Sequence, residues 1–319
     1  MNNKHLPTLL FVSVCLIWGT TWLAMEVAVQ TIPPIFATGL RFLVASPLLI
    51  SLAIILKQPL FFPKGKRHWM LIVAVFYFSI PFTLMIYGEQ YISSGLASII
   101  FANMPIAVML TSNLFLGLRL QKYQIFGLLI AVLSLIGILT IEMNLGGSDY
   151  LLGFMALGGA VAMHAIMYVF VEKFCKGTPV LTYNALPSFI ASILLIMSSL
   201  FIEVPQIEQF STDSIAAVIY LGLIASVGGI VAYFKLGQVS TPFTASLCFL
   251  FFPLIALSLS TWIAGNSISM LSVGLMFLLL GGIFITKADP YWFRKMSISK
   301  NPPLYRRILF PLHAITKYY

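Results

Sequence analysis

The sequence predicts an all-α integral membrane protein: ten transmembrane helices arranged as two inverted five-helix repeats, with both termini in the cytoplasm. Its composition, its succession of apolar segments and an internal repeat support this fold class. Of the 319 residues, 60% are hydrophobic and only 8% are charged, and the mean hydropathy is +1.00. Soluble domains carry about 25% charged residues, so soluble enzymes and disordered proteins are excluded.

A helix that crosses a bilayer needs about 20 mainly apolar residues, and the first half of the chain contains five such runs. The first run follows Lys4, as a signal peptide would, but it is long for one and shows no small-residue cleavage site before Glu26. It is therefore interpreted as an uncleaved span. The five predicted spans are 7–27, 34–56, 68–88, 93–115 and 123–141.

Five further runs follow in the second half, separated by short linkers. Short linkers make successive helices antiparallel and leave no room for a soluble domain. The predicted spans are 150–171, 180–202, 214–234, 241–263 and 267–286. The chain thus divides into a first repeat at 1–145, a second repeat at 146–287 and a cytoplasmic tail at 288–319.

The positions of the basic residues predict the orientation of the chain in the membrane. With the N-terminus in the cytoplasm, 17 of the 18 Lys and Arg residues fall at the inner side and Arg41 is the exception. This is the bias that cytoplasmic loops show. Seven of the nine acidic residues fall at the outer side. The net charge of +9 is therefore attributed to membrane orientation, and no nucleic-acid partner is expected.

The tail at 288–319 mixes basic with aromatic residues, and its prolines prevent one long helix. Two interpretations stay open. The tail lies against anionic lipid headgroups, or it is disordered and its charges only set the orientation. The sequence favours the second interpretation.

The two halves of the chain are similar to each other at an offset of 148 residues. Five predicted spans separate the matched positions, and because five is odd, equivalent helices cross the bilayer in opposite directions. Many secondary transporters have this construction, with a site near the midplane between the two bundles. The matched identical residues are the pairs 90/238, 97/245, 98/246, 101/249, 105/253 and 117/265.

Pro105 and Pro253 are the matched pair that lies in mid-span. A proline inside a helix removes one backbone donor and clashes with the preceding turn, so both helices are predicted to kink. A static kink that helps packing is one interpretation. Because the prolines are matched between the halves, the sequence favours kinks that line one central cavity. Asn103 is a donor either for a substrate or for a carbonyl freed by the kink, and the second role is favoured.

Four short motifs occur in a specific order along the chain. They are Ile-Trp-Gly-Thr-Thr-Trp at 17–22, Arg-Phe-Leu-Val-Ala at 41–45, Gly-Leu-Ala-Ser at 95–98 with Pro105 beyond it, and Gly-Leu-Arg-Leu at 117–120. Together they resemble the EamA family of the drug/metabolite transporter superfamily, over the whole chain as two tandem repeats. The resemblance implies a ten-helix permease for small metabolites such as amino acids, nucleotide-like compounds or amphiphilic drugs. The departures from the family pattern are Glu26, Leu118 and Asn266.

Arg41 is the one strongly charged residue well inside a predicted span, and ionisable residues within a membrane are functional candidates. Three interpretations stay open: Arg41 binds an anionic group of a substrate, pairs with Glu26, or snorkels outward. Glu26 and Glu89 lie near outer helix ends, where a carboxylate is more often solvated. The sequence therefore predicts no deep carboxylate that would carry protons.

Aromatic residues and one histidine complete the set of candidates. Trp18, Trp22 and Glu26 share one face of the first helix because they are four residues apart, and an aromatic face that ends in a carboxylate suits an organic cation or amine. Interfacial placement is the alternative for Trp22. His164 and Tyr168 lie one turn apart in the sixth span. His164 either titrates or binds substrate, or it is a core histidine with a satisfied ring.

These features predict a secondary transporter that moves a small metabolite across the bacterial inner membrane by alternating access, with export as the expected direction. The alternative is a multispan membrane enzyme that acts on lipid-linked substrates, but the loops are short and poor in His and Asp. No enzymatic activity, catalytic residue, metal or cofactor is predicted. The expected partners are a small-molecule substrate and membrane lipids, in a monomer or homodimer. The predicted cavity residues are Trp18, Trp22, Glu26, Arg41, Tyr77, Asn103, Pro105, His164, Tyr168, Tyr233 and Pro253.

Overall fold

The computed structural model describes residues 5–146, 149–240, 242–265 and 268–287, except for the side chains of 143–146 and 242–243. The predicted tail and Asn266 lie outside the described residues. Within them, ten helices are long and apolar enough to cross a bilayer, which confirms the all-α membrane fold. They are α1 (Leu6–Ala28), α2 (Pro34–Ile55), α3 (His68–Gly88), α4 (Ser94–Leu116), α5 (Lys122–Glu142), α6 (Asp149–Phe174), α7 (Val180–Ile202), α8 (Thr212–Val239), α9 (Thr244–Trp262) and α10 (Met270–Lys287).

Several helix ends follow from prolines and glycines at their boundaries. Pro7 and Pro34 stand in the first turns of α1 and α2, where a missing backbone N–H loses no helical hydrogen bond. Gly117 and Gly265 follow α4 and α9 with φ of 66° and 72°. This left-handed conformation favours glycine and ends a helix. Gly117 and Gly265 are a matched pair of the repeat, but Gly117 caps α4 directly, whereas the cap of α9 is Ile263 and Gly265 lies two residues beyond it.

Four helices are interrupted near their middles, at related places in the two halves. A π-helical segment lies at Ala74–Ser79 in α3 and another at Leu221–Gly228 in α8. Shifted back by the repeat offset of 148 residues, the second segment covers 73–80. α4 is broken by a turn at residues 102–103 and α9 by a turn at residue 247, so Pro105 and Pro253 each follow a break. Such π segments occur frequently at functional sites.

The main contacts between helices join the first half of the chain to the second. α2 packs along α7, α5 along α10, and α4 against α9, so that each of these helices contacts its own counterpart. In addition, α1 packs against α8 and α9, while α6 packs against α3 and α4. Exchanging the two halves leaves these pairs unchanged, whereas the contacts of α1 with α4 and of α2 with α3 have no equally extensive counterpart in the other half. The inverted orientation and the cytoplasmic location of the termini stay predictions.

α5 and α10 approach each other closely through glycines. A Cβ atom built on Gly127 would lie 2.6 Å from the Gly282 carbonyl oxygen, and one built on Gly282 would lie 2.6 Å from the Gly127 oxygen and 2.7 Å from Ala131 N. Small residues allow this approach of two backbones, which is the usual way that membrane helices associate.

One end of the bundle, called here the acidic end, is where α1 ends and α2 begins. Three glutamates there accept hydrogen bonds from the backbone at the start of a neighbouring helix, where the helix dipole favours a negative charge. The bonds run from Ile35 and Phe36 to Glu203 at 2.8 and 3.0 Å, from Ser94 to Glu26 at 3.1 Å, and from Ser269 to Glu142 at 3.2 Å. Asp149 and Asp213 lie in the first turns of α6 and α8. Each helix that begins at this end thus has a carboxylate at its start.

Candidate substrate site

A first aromatic cluster lies between α3, α6 and α7. The ring of Tyr77, in the π-helical segment of α3, is 4.9 Å from the ring of His164, 5.5 Å from that of Tyr168 and 5.0 Å from that of Tyr183. The Tyr77 hydroxyl donates to the Tyr168 hydroxyl at 3.1 Å. His164 is buried, and its Nδ1 donates to the Ala160 carbonyl oxygen at 3.0 Å. Three of the predicted residues, Tyr77, His164 and Tyr168, therefore come together.

A second aromatic cluster lies between α1, α8 and α9. The ring of Trp18 is 4.8 Å from that of Tyr233, 5.4 Å from that of Phe249 and 6.3 Å from that of Phe252. Two more predicted residues, Trp18 and Tyr233, are thus in direct contact.

Trp22 connects the two clusters. Its ring lies 6.3 Å from Phe252 in the second cluster and 5.3 Å from Phe101 of α4. The Phe101 ring in turn lies 5.8 Å from His164 in the first cluster. The result is a continuous set of aromatic side chains that reaches from α1 and α9, in different halves of the chain, to α3 and α6.

Arg41 lies beside the first cluster with its guanidinium buried. Its Nε donates to Ser226 Oγ at 2.9 Å, inside the π-helical segment of α8, and Nη1 is 3.7 Å from Met25 Sδ. The guanidinium carbon is 4.9 Å from the ring centre of Phe82 and 5.8 Å from that of Phe42. Cation–π contacts of this kind stabilise a positive charge that is removed from water. The Phe82 ring is also 5.0 Å from the ring of His164, which links Arg41 to the tyrosine cluster.

Two of the three interpretations of Arg41 are wrong in this structure. The side chain is only 6% exposed, so it does not snorkel to the interface. It does not pair with Glu26 either, because the contacts of the guanidinium in the described chain are with Ser226, Met25 and two rings. The remaining interpretation, binding of an anionic group, stays open.

Glu26 has a structural role that the sequence did not reveal. Its carboxylate accepts the hydrogen bond from Ser94 N at the start of α4, while Trp18 and Trp22 pack against aromatic rings of α8, α9 and α4. Capping explains the carboxylate without a ligand. The cation-binding interpretation of this helix face is therefore not carried further.

Asn103 supports the break in α4, as the favoured interpretation predicts. Its backbone N–H bonds to Ile100 O at 3.2 Å, and its side-chain amide donates to Ile99 O at 3.1 Å and again to Ile100 O at 3.2 Å. The amide thus satisfies a carbonyl that the interrupted helix leaves without its regular partner. Pro105 and Pro253 are both buried, and their role in lining one cavity stays a prediction.

Several residues of the site were not predicted, Phe42, Phe249 and Phe252 among them. Phe82, Phe101 and Tyr183 lie in apolar runs where an aromatic residue carries no signal of its own, although a tyrosine hydroxyl in a span must find a partner or face a cavity. Ser226 belongs to a run of small residues that suggests helix packing. A hydroxyl opposite a buried arginine cannot be recognised until the two helices are placed side by side.

Comparison with known proteins identifies the class to which this fold and site belong. The model of the EamA-like transporter family matches the chain twice, at residues 5–140 and 151–287. The chain belongs to this family, and it is an integral membrane protein of the transporter class.

Relatives with similar sequences match most of this chain, and two of the three described here are named as transporters. Protein PagO of Salmonella typhimurium is 50% identical over 279 residues, which are 88% of this chain and 92% of that protein. A protein of Buchnera aphidicola subsp. Schizaphis graminum named "Uncharacterized transporter" is 46% identical over 83% of this chain and 89% of its own length. The inner membrane transporter YedA of Escherichia coli (strain K12) is 24% identical over 80% of this chain and 81% of its own length.

The fold agrees with a solved crystal structure that is distant in sequence. The superposition has a TM-score of 0.62 and covers 91% of this chain and 99% of that chain, at 19% sequence identity. At this identity the likeness supports the arrangement of helices alone.

Proposed function

We propose that this membrane transporter moves a small organic compound with a carboxylate or phosphate and an apolar or aromatic part across the bacterial inner membrane. The observation that carries the proposal is Arg41. A guanidinium has five N–H donors, and here one bonds Ser226 and one faces the sulfur of Met25. The other donors are available for an anion, which planar guanidinium groups bind in bidentate fashion.

The aromatic rings around Arg41 suit the rest of such a compound. Phe82 and Phe42 flank the guanidinium, and Tyr183 adds a buried hydroxyl without a hydrogen-bond partner in the described chain. Ligand sites commonly combine apolar and aromatic walls with a few polar groups that fix orientation. Amino acid-like and nucleotide-like compounds both have this chemistry.

Alternating access is the proposed mechanism, and export the proposed direction. The exchange symmetry of the helix contacts and the paired interruptions of α3 with α8 and of α4 with α9 support a rocking of two similar bundles. Because relatives are named as transporters, the alternative of a lipid-modifying enzyme is not pursued.

Metabolite profiling of cells and medium tests this proposal. Cells that lack the gene are complemented with the wild type, with Arg41→Gln or with Arg119→Gln, a matched change at an exposed arginine. We expect the wild type and Arg119→Gln to lower the internal level of the same acidic or zwitterionic compounds and to raise them in the medium. Arg41→Gln should fail to do so at equal expression. Identical profiles for Arg41→Gln and the wild type would overturn the assignment.

A further inference from the structure

Glu89 differs from every other acidic residue at the acidic end. It follows α3 directly and is only 5% exposed, so the expectation that a carboxylate at this position is solvated is wrong. Neither carboxylate oxygen has a hydrogen-bond partner in the described part of the chain. A buried ionised carboxylate without donors is strongly unfavourable.

Its position on the helix makes ionisation still less favourable. Glu26, Glu142 and Glu203 lie at the starts of helices and accept backbone N–H bonds there. Glu89 is instead the residue that caps the C-terminus of α3, where the helix dipole presents its negative end. The same end of the bundle thus offers backbone donors to three glutamates and places a fourth at the negative end of a helix dipole.

Among the described residues, the charged neighbour that acts on the pKa of Glu89 is another glutamate. Glu26 of α1 lies near Glu89, and its negative charge disfavours ionisation of Glu89. Tyr87 and Tyr91 flank Glu89 in the chain, and their hydroxyls are 2.8 Å apart. Asp149 of α6 is a further negative charge, and it interacts electrostatically with Tyr91. Burial, and after it the charge of Glu26, raises the pKa of Glu89 well above its ordinary value, although the backbone of Glu26 offsets part of this rise.

We infer that Glu89 is a proton-binding site of the transport cycle, protonated while it is buried at the acidic end. When the bundle opens at that end, water reaches the carboxylate, its oxygen gives the proton to water, and the ionised form is stabilised. Closing the bundle requires that a proton be taken up again. The proton is the co-transported ion in this scheme, which rests on the proposed transport function.

The direction of the pH dependence follows from the raised pKa. At a pH below this pKa, Glu89 is neutral and the buried arrangement is favoured. As the pH rises through the pKa, the carboxyl group of Glu89 ionises and the buried arrangement becomes less stable. A Glu89→Gln variant keeps the shape of the neutral acid at any pH, so it should stay in the buried arrangement.

Infrared spectroscopy of the purified protein tests the protonation without any substrate. We expect the wild type at neutral pH to show the C=O stretching band of a protonated carboxyl group that disappears on alkaline titration. The band should be absent from Glu89→Gln and present in Glu208→Gln, a matched change at an exposed residue of the same end. No such band in the wild type, or an unchanged band in Glu89→Gln, would overturn the inference. If Glu89→Gln does not fold, isotope labelling of all glutamates in the wild type shows whether the band comes from Glu or from Asp. A glutamate band that disappears on alkaline titration then supports the inference, and its absence overturns it.

A transport measurement separates this inference from the proposed function. In proteoliposomes supplied with an acidic or zwitterionic amino acid that the wild type exchanges, we expect a pH gradient to accelerate wild-type and Glu208→Gln transport. Glu89→Gln should keep exchange at equal pH but lose the response to the gradient. Exchange with an undiminished response in Glu89→Gln refutes proton coupling while transport stands. A wild type that exchanges no such compound but shows the carboxyl band refutes the proposed function and leaves the protonation of Glu89 intact.

Discussion

At the scale of single residues, Arg41 presents the energetic question of how a guanidinium is kept inside a bilayer. Insertion of an arginine at the centre of a membrane helix costs about 2.5–3.5 kcal/mol. The bond to Ser226 at 2.9 Å and the ring of Phe82 at 4.9 Å offset part of this cost. No carboxylate neutralises the charge in the described chain, which is the arrangement that an anionic substrate would complete.

Ser226 is the partner whose removal measures this support. Replacement of Ser226 by alanine leaves the Nε donor of Arg41 buried without an acceptor, and we expect a loss of about 1.5–3 kcal/mol in the free energy of unfolding. Ser258→Ala is the matched control, because its hydroxyl bonds the Leu254 carbonyl of its own helix near the surface. Thermal unfolding of both purified variants measures the difference. Equal stability would mean that Ser226 does not hold the guanidinium.

The residues of the site differ in how far the sequence reveals them. Arg41 was found because a charge in an apolar run is conspicuous whatever surrounds it. The burial of Glu89 was not found, because a carboxylate at a helix end looks the same in sequence whether it caps a neighbouring helix, as Glu26 does, or has no donor. That distinction depends on which helix starts beside it, and this is a property of the packed bundle.

At the scale of helices, the two halves share their irregularities as well as their lengths. The π-helical segments of α3 and α8 carry Tyr77 and Ser226 respectively, so each half supplies one irregular segment to the site. A π-helical turn frees backbone groups and turns the following side chains relative to the regular helix. The third helix of each half is therefore irregular at a related point.

Two adjacent glycines of α10 test how tightly the helices pack. An added Cβ at Gly282 would lie 2.6 Å from Gly127 O, whereas one at Gly281 meets nothing within 4 Å. We expect Gly282→Ala to destabilise the protein by about 1–3 kcal/mol, as overpacking does. Gly281→Ala should be neutral or slightly stabilising, since alanine is the better helix former. Thermal unfolding decides, and equal effects of the two changes would contradict the close contact of α5 with α10.

The helices themselves were largely predictable, whereas their interruptions were only partly so. The predicted span 68–88 coincides with α3, and the predicted span 214–234 is shorter than α8 at both ends because polar residues there continue the helix. Pro105 stands directly after the break in α4, where proline cannot donate a hydrogen bond, whereas Pro253 lies inside the continuous part of α9, six residues beyond its turn. The π-helical segments have no such signal, because no residue type requires them and the packing of neighbouring helices selects them.

At the scale of the whole molecule, the account rests on two similar bundles with one site between them. The family match in two copies and the exchange symmetry of the helix contacts agree with that organisation. The aromatic residues that connect the clusters come from both halves, with Trp18 and Phe101 from the first and Tyr233 and His164 from the second. A rocking motion of the bundles would therefore act directly on the site.

Counterflow in proteoliposomes tests this central claim most directly, because it requires that one site take up the same compound from both faces of the membrane. With the compounds identified by profiling, we expect wild-type protein to accumulate labelled compound against an internal unlabelled pool. Arg41→Gln should reduce the rate about 30-fold or more, since a hydrogen bond to a charged group contributes about 2 kcal/mol. Arg41→Lys should retain part of the rate, as the charge survives without the planar fork. Counterflow by Arg41→Gln at the wild-type rate would contradict the account.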